Sequence, residues 1–180
     1  MSGKRAYRRD VSGSRLSSFQ AVVKETDLWI AISSSAYHAD LPSKIENLIW
    51  GMRRRLESYF DIHPELLSAI QPCFIDRDAP EIFIAMARAG NCAGVGPMAA
   101  VAGTFSEFIG LELLKYAPEV IVENGGDIFL KVDEPVRVGI FAGNSPLSEK
   151  LALEIDPVQT PLGVCTSSGT VGPSLSFGRA

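Results

Sequence analysis

The chain has 180 residues, 46% hydrophobic and 21% charged, with a formal net charge of −4. That suffices for one domain with its own core, far from the low-hydrophobicity, high-charge corner of disorder. Negative net charge argues against a nucleic-acid partner, because no broad positive field exists to displace counterions from phosphates. The apolar runs are too interrupted for a bilayer span or a secretory leader, so the expected setting is cytoplasmic, with no membrane partner.

Residues 1–18 are polar and carry the basic cluster "GKRAYRR"; they read as a flexible basic arm, leaving 19–180 as a single domain. In "FQAVVKETDLWIAIS" apolar and polar residues alternate around a "KETD" turn, which predicts a β-hairpin. From Pro42 the spacing lengthens: Ile45, Leu48, Ile49, Met52, Leu56 and Tyr59 form one apolar helical face that ends near His63. Arg53 to Arg55 then read as a solvated charge run, and Pro64 opens a short helix over "PELLSAI".

"DAPEIFIAMARAG" has Asp78 three residues before Glu81, the spacing of a capping box, and Gly90 as its stop. After "GNCAGVG", Pro97 starts a longer helix halted by Pro118. Ala99, Gly103, Ser106 and Gly110 make a stripe of small residues on it, so another backbone packs closely there. The remaining segments, "EVIVEN", "GDIFLKV", "VRVGIFAG", "KLALEI", "LGVCTSS" and "SLSFG", read as strands joined by short turns, the first of them at Asn124-Gly125. The order of elements gives an α+β domain, helices on one face of an antiparallel sheet.

Three polar, glycine-rich stretches could carry chemistry. "NCAGVGP" precedes a helix, where free N–H groups hold anions, with Gly94 and Gly96 allowing close approach; taken alone, it reads rather more readily as a tight helix-to-helix turn. "ENGGD" sets Glu123 and Asp127 around a turn, acceptors for a ribose or a metal, and a plain hairpin turn is the alternative. "CTSSGTVG" offers Thr166, Ser167, Ser168 and Thr170, hydroxyls that both donate and accept, beside Gly169. Cys73, Cys92 and Cys165 make no Cys-x-x-Cys unit, which fits a reducing compartment; Cys165 is the candidate nucleophile. His38 and His63 have no partner at ligand or triad spacing.

"KETDLWI", "AGVGPMAAVAG", "VENGGDIFL", "GIFAGNSPLS" and "GVCTSSGTVGPSLSFG", in this order, resemble an uncharacterised family related to ApbE, the FAD-dependent protein FMN transferase. The resemblance implies an ApbE-like T-fold and a small-molecule nucleotide, FAD or FMN, as ligand. It places Asn124, Gly125, Gly126 and Asp127 by the flavin nucleotide, and Thr166, Ser168 and Gly169 in the same cleft. This chain departs from the transferases in having Pro97, Met98 and Ala99 where they have Lys-Gly-Tyr, and in ending before the Asp and Thr that hold Mg²⁺. The natural protein is therefore expected to continue beyond Ala180, and the metal ligands are unknown. Two further readings stand beside flavin binding: sulfur handling through Cys165 or Cys92, and a homo-oligomeric module that associates through the small-residue stripe and the last strand.

Overall fold

The computed structural model describes residues 15–142, 145–148 and 150–165. Strand β1 (Leu16–Val23) pairs antiparallel with β2 (Thr26–Ser33), Phe19 opposite Ile30, so the alternation does give a hairpin. It starts at Leu16, which puts Leu16 to Ser18 in the sheet and not in the arm. The turn is held from above by helix α1 (Leu41–Ile62): Lys24 Nζ lies 2.8 Å from Glu57 Oε2, and Arg53 donates to Thr26 Oγ1 at 2.7 Å. Leu41, Ile45, Ile49, Met52, Leu56 and Phe60 form the buried face of α1, at the three- and four-residue spacing of an amphipathic helix. "PELL" closes into a 3₁₀ turn, Pro64–Leu67.

Helix α2 (Glu81–Ala93) differs from expectation at both ends. No side chain caps it: Pro80 occupies the N-cap, and Asp78 donates its own N–H to Asp76 Oδ1 at 3.2 Å. It also runs through Gly90 and stops at Gly94, whose φ of 74° is the left-handed cap. Gly90 is there for space. A Cβ on it would stand 2.9 Å from the Val95 carbonyl oxygen, because the chain doubles back over the helix end. The next helix is likewise shorter than its sequence span, since Pro97–Ala100 forms a 3₁₀ turn before α3 (Val101–Leu113).

After α3 come β3 (Val120–Asn124), β4 (Asp127–Lys131), β5 (Val136–Gly139), β6 (Ala152–Ile155) and β7 (Leu162–Val164). Five strands form one antiparallel sheet in the order β1-β2-β3-β4-β7, while β5 and β6 pair as a separate hairpin. Alternation sends Leu28, Ile30, Ile32, Val120 and Val122 into the main core with the three helices. On the opposite face Ile121, Ile128, Leu130 and Leu162 meet Val136, Val138 and Ile155 of the hairpin in a smaller cluster. The α+β architecture read from the sequence is thus the observed one, with the second sheet face partly covered as well. The expected "SLSFG" strand lies outside the described residues.

Glu119 locks three strand ends together. Its carboxylate, buried with the residue 5% exposed, accepts from Arg15 and, at 2.8 Å, from the Asp133 N–H; its own N–H donates to Ser33 Oγ at 3.2 Å. Among the described residues no single helix is long and apolar enough to cross a membrane.

The small-residue stripe on α3 is used inside the chain. A Cβ on Gly110 would lie 2.1 Å from the Phe129 ring of β4, whereas one on Gly103 would meet nothing within 4 Å among the described residues. Gly110→Ala is therefore expected to cost about 1–3 kcal/mol by overpacking. Gly103→Ala should be neutral or stabilise by up to about 1 kcal/mol through helix propensity. Urea denaturation of both variants checks the contrast.

Candidate functional site

The close packing of α3 on β4 brings the first turn of the helix to the β3–β4 hairpin. The hairpin turn is Gly125–Gly126 and not Asn124-Gly125, because Asn124 and Asp127 are the last paired residues. Both glycines have positive φ, 65° and 108°, as a type I′ turn requires. Asn124 and Asp127 point to the helix side of the sheet, where Asn124 Nδ2 donates to the Ala102 carbonyl at 3.2 Å. Ser106 Oγ stands 3.2 Å from that same carbonyl and 3.0 Å from the Asp127 carbonyl, so its single proton serves one of them at a time.

The Asp127 carboxylate accepts the Gly103 N–H in the first turn of α3. A carboxylate there meets the positive end of the helix dipole. Burial nevertheless raises its pKa above the ordinary 3.8; the Gly103 bond opposes that rise and the nearby charge of Glu123 adds to it. Glu123 does not share the corner. It is on the opposite sheet face, paired in register with Ile128, buried, and it accepts the Gly126 N–H at 2.8 Å. The two carboxylates flanking the turn are therefore split by strand alternation and do not converge as a ligand pair.

β7 completes the corner. Val164 is opposite Ile128, so the next step of the register sets the exposed Cys165 beside Asp127. Cys165, the first residue of the third stretch, thus stands at the same corner as "ENGGD". Thr166, Ser167, Ser168, Gly169 and Thr170 themselves lie outside the described residues.

"NCAGVGP" holds the fold. Asn91 clamps the backbone of Cys73 with two bonds of 2.9 Å, one to its N–H and one to its carbonyl. Gly96 is buried, and a Cβ on it would collide with the Ala69 carbonyl oxygen at 1.7 Å, which leaves no room for a ligand on that side. Gly94 is the exposed cap of α2. Along the chain the 3₁₀ turn Pro97–Ala100 stands between these glycines and the first turn of α3. Gly103 and Ser106 join the Asp127 corner. They were legible only as small residues at helical spacing, a pattern that signals close packing without naming the partner.

Among the described residues no group of three His, Cys, Asp or Glu side chains gathers that could hold a metal ion. The ordinary Mg²⁺ donor set, carboxylates converging with open positions for phosphate and water, is thus not assembled by these residues.

The family described as AbpE bacteria matches residues 8–180. A UPF0280 protein of Methanococcus aeolicus is 43% identical over 161 residues, covering 88% of this chain and 63% of the relative. One of Methanocella arvoryzae is 45% identical over 162 residues, 88% and 62% of the two chains. One of Methanocaldococcus jannaschii is 39% identical over 161 residues, 88% and 64%. The chain spans less than two-thirds of the length of these relatives.

The raised pKa of Asp127 has a definite sign. The folded chain binds its proton more tightly than the unfolded chain, so this group lowers stability as pH rises from the ordinary aspartate value through the folded one. Asp127→Asn removes the buried charge and keeps an oxygen for the Gly103 N–H. Its melting temperature is expected to equal or exceed the parent's at pH 7, with the advantage shrinking toward pH 4, as melts at the two pH values will show.

Proposed function

The chain belongs to the family AbpE bacteria, and on that footing we propose that it binds a flavin nucleotide, FAD or FMN, at the corner of Asn124, Asp127, Gly103 and Cys165, as a protein of the FMN-transferase type. The observation that carries this reading is the half-buried Asp127 carboxylate, held at the first turn of α3 by the Gly103 N–H and with its pKa raised by desolvation. Such a residue is better explained by a ligand than by packing. Gly103 supports the same reading, because among the described residues nothing lies over it, and a helix glycine so placed leaves the backbone bare to an incoming group.

The corner also says which part of a nucleotide suits it. The helix N–H that would attract a phosphate already donates to Asp127, and a second anion is repelled by that carboxylate. A hydroxyl or ring N–H, as on a ribose or an isoalloxazine edge, can donate to it instead. Phosphates would go to the hydroxyl-rich run from Thr166 to Thr170. A bound flavin would supply redox chemistry, and FAD, unlike FMN, a phosphoanhydride as well; the residues named here would orient it, and no step is assigned to a metal.

Sulfur handling remains the second reading, favoured by the exposure of Cys165 and Cys92. Alkylation at neutral pH separates the two: rapid, selective modification of Cys165 supports it, and equal slow modification of every thiol removes it.

Titration with FAD and FMN, followed by flavin fluorescence and by melting temperature, tests the main reading. A saturable signal with a raised melting temperature is expected, since a ligand of the native state stabilises it. Asp127→Ala should weaken binding about tenfold or more, the loss of one hydrogen bond to a charged group. No signal at high micromolar flavin defeats the proposal.

A further inference from the structure

The segment between α1 and α2 displays apolar side chains that the core does not use. Phe74 is 88% exposed and Ile62 74%, with Ile70 and Leu67 also exposed between them. Solvent-facing hydrophobic residues are ordinary when scattered; grouped in one connecting segment they mark a contact surface. This segment is also held firmly. The two Asn91 bonds fix Cys73, next to Phe74, and the close approach of Gly96 fixes Ala69, next to Ile70. A ring presented on an anchored backbone loses little further freedom on docking.

Beside this knob is a hole. An open pocket of about 370 Å³ lies between the end of α1 and the start of α2, with Tyr59, Ile62 and Pro80 as its apolar lining and Arg54, Arg55 and Asp78 as its charged one. Tyr59 belongs to both features: it lines the pocket, and burial, with the charge of Asp76 from the displayed segment beside it, raises the pKa of its hydroxyl. The charges are complementary too. Among the described residues Arg54 makes no ion pair and Arg55 bonds the Gly51 carbonyl at 3.2 Å, while Asp76 follows Phe74 by two positions.

We propose that this face joins two copies of the chain about a two-fold axis, Phe74 of each seated in the Tyr59–Ile62–Pro80 pocket of the other and Asp76 facing its Arg54 and Arg55. A knob, a hole and opposite charges side by side on one surface are what an isologous contact requires, since each copy then supplies what the other lacks. An aromatic anchor in a pocket flanked by arginines is also the composition of an interface hot spot. Phe129 of the same chain fills the small-residue stripe at Gly110.

Sedimentation of the whole chain over a concentration series tests the proposal. The parent should be a dimer, and Phe74→Glu should weaken it about thirtyfold or more, as the loss of a hot-spot residue does. Its unfolding curve at high dilution should match the parent's, because an exposed ring adds little to the fold. Arg54→Asp with Arg55→Asp should likewise weaken association, and Asp76→Arg added to that pair should restore part of it. A parent that stays monomeric at high micromolar concentration, or a dimer indifferent to Phe74→Glu, overturns the proposal. So does a monomer whose patch is buried by a different protein.

Discussion

The contact of α3 with β4 is the constraint from which the rest of the molecule follows. Gly110 has no side chain, so Phe129 can pack close against the helix backbone, and a helix so seated has one position along the strand. That position sets its first turn over the end of the β3–β4 hairpin. Gly103 then reaches Asp127, and Asn124 and Ser106 reach the carbonyl of Ala102. A polar corner with these groups depends on an apolar contact two helical turns away. Interiors packed to crystal-like density transmit such displacements faithfully.

Much of the fold was legible because its periodicities are clean. Val and Ile alternation gave β1 and β2, and the spacing from Ile45 to Leu56 gave α1 nearly to its ends. Legibility failed where one residue type has two uses. Gly90 read as a helix stop, yet it clears space for the returning chain, and Gly94 is the cap. Asp78 had the spacing of a cap and spends its backbone on a local turn with Asp76. At the candidate site, "ENGGD" announced its turn but not its geometry. Spacing along the chain made Glu123 and Asp127 neighbours, and the pleat of the strand put them on opposite faces. What pairs α3 with β4, or Asn91 with Cys73, is long-range and has no local signature.

The glycine-rich stretch between α2 and α3 also changes meaning once the fold is known. A run of Asn, Cys and glycines before a helix invites a ligand-binding reading, because backbone amides at such places hold anions. Here Asn91 and Gly96 serve the neighbouring chain segment, one by completing the hydrogen bonds of Cys73 and the other by admitting Ala69. Polar and small residues can satisfy a backbone as well as a ligand, and the two uses look alike in a sequence.

All three helices lie between β2 and β3 in the chain, although Ile30 and Val122 are opposite one another in the sheet. The hairpins β1–β2 and β3–β4 can close over a few residues, but the seam between them closes a loop of nearly half the protein. Loop closure of that length is the slow kind of event in folding. The corner around Asp127 lies wholly on one side of that seam, its groups coming from α3, the β3–β4 hairpin and the residue after β7. Its completion therefore reports the docking of α3 onto β3 and β4, a contact between neighbours in the chain, and is separable from closure of the long seam.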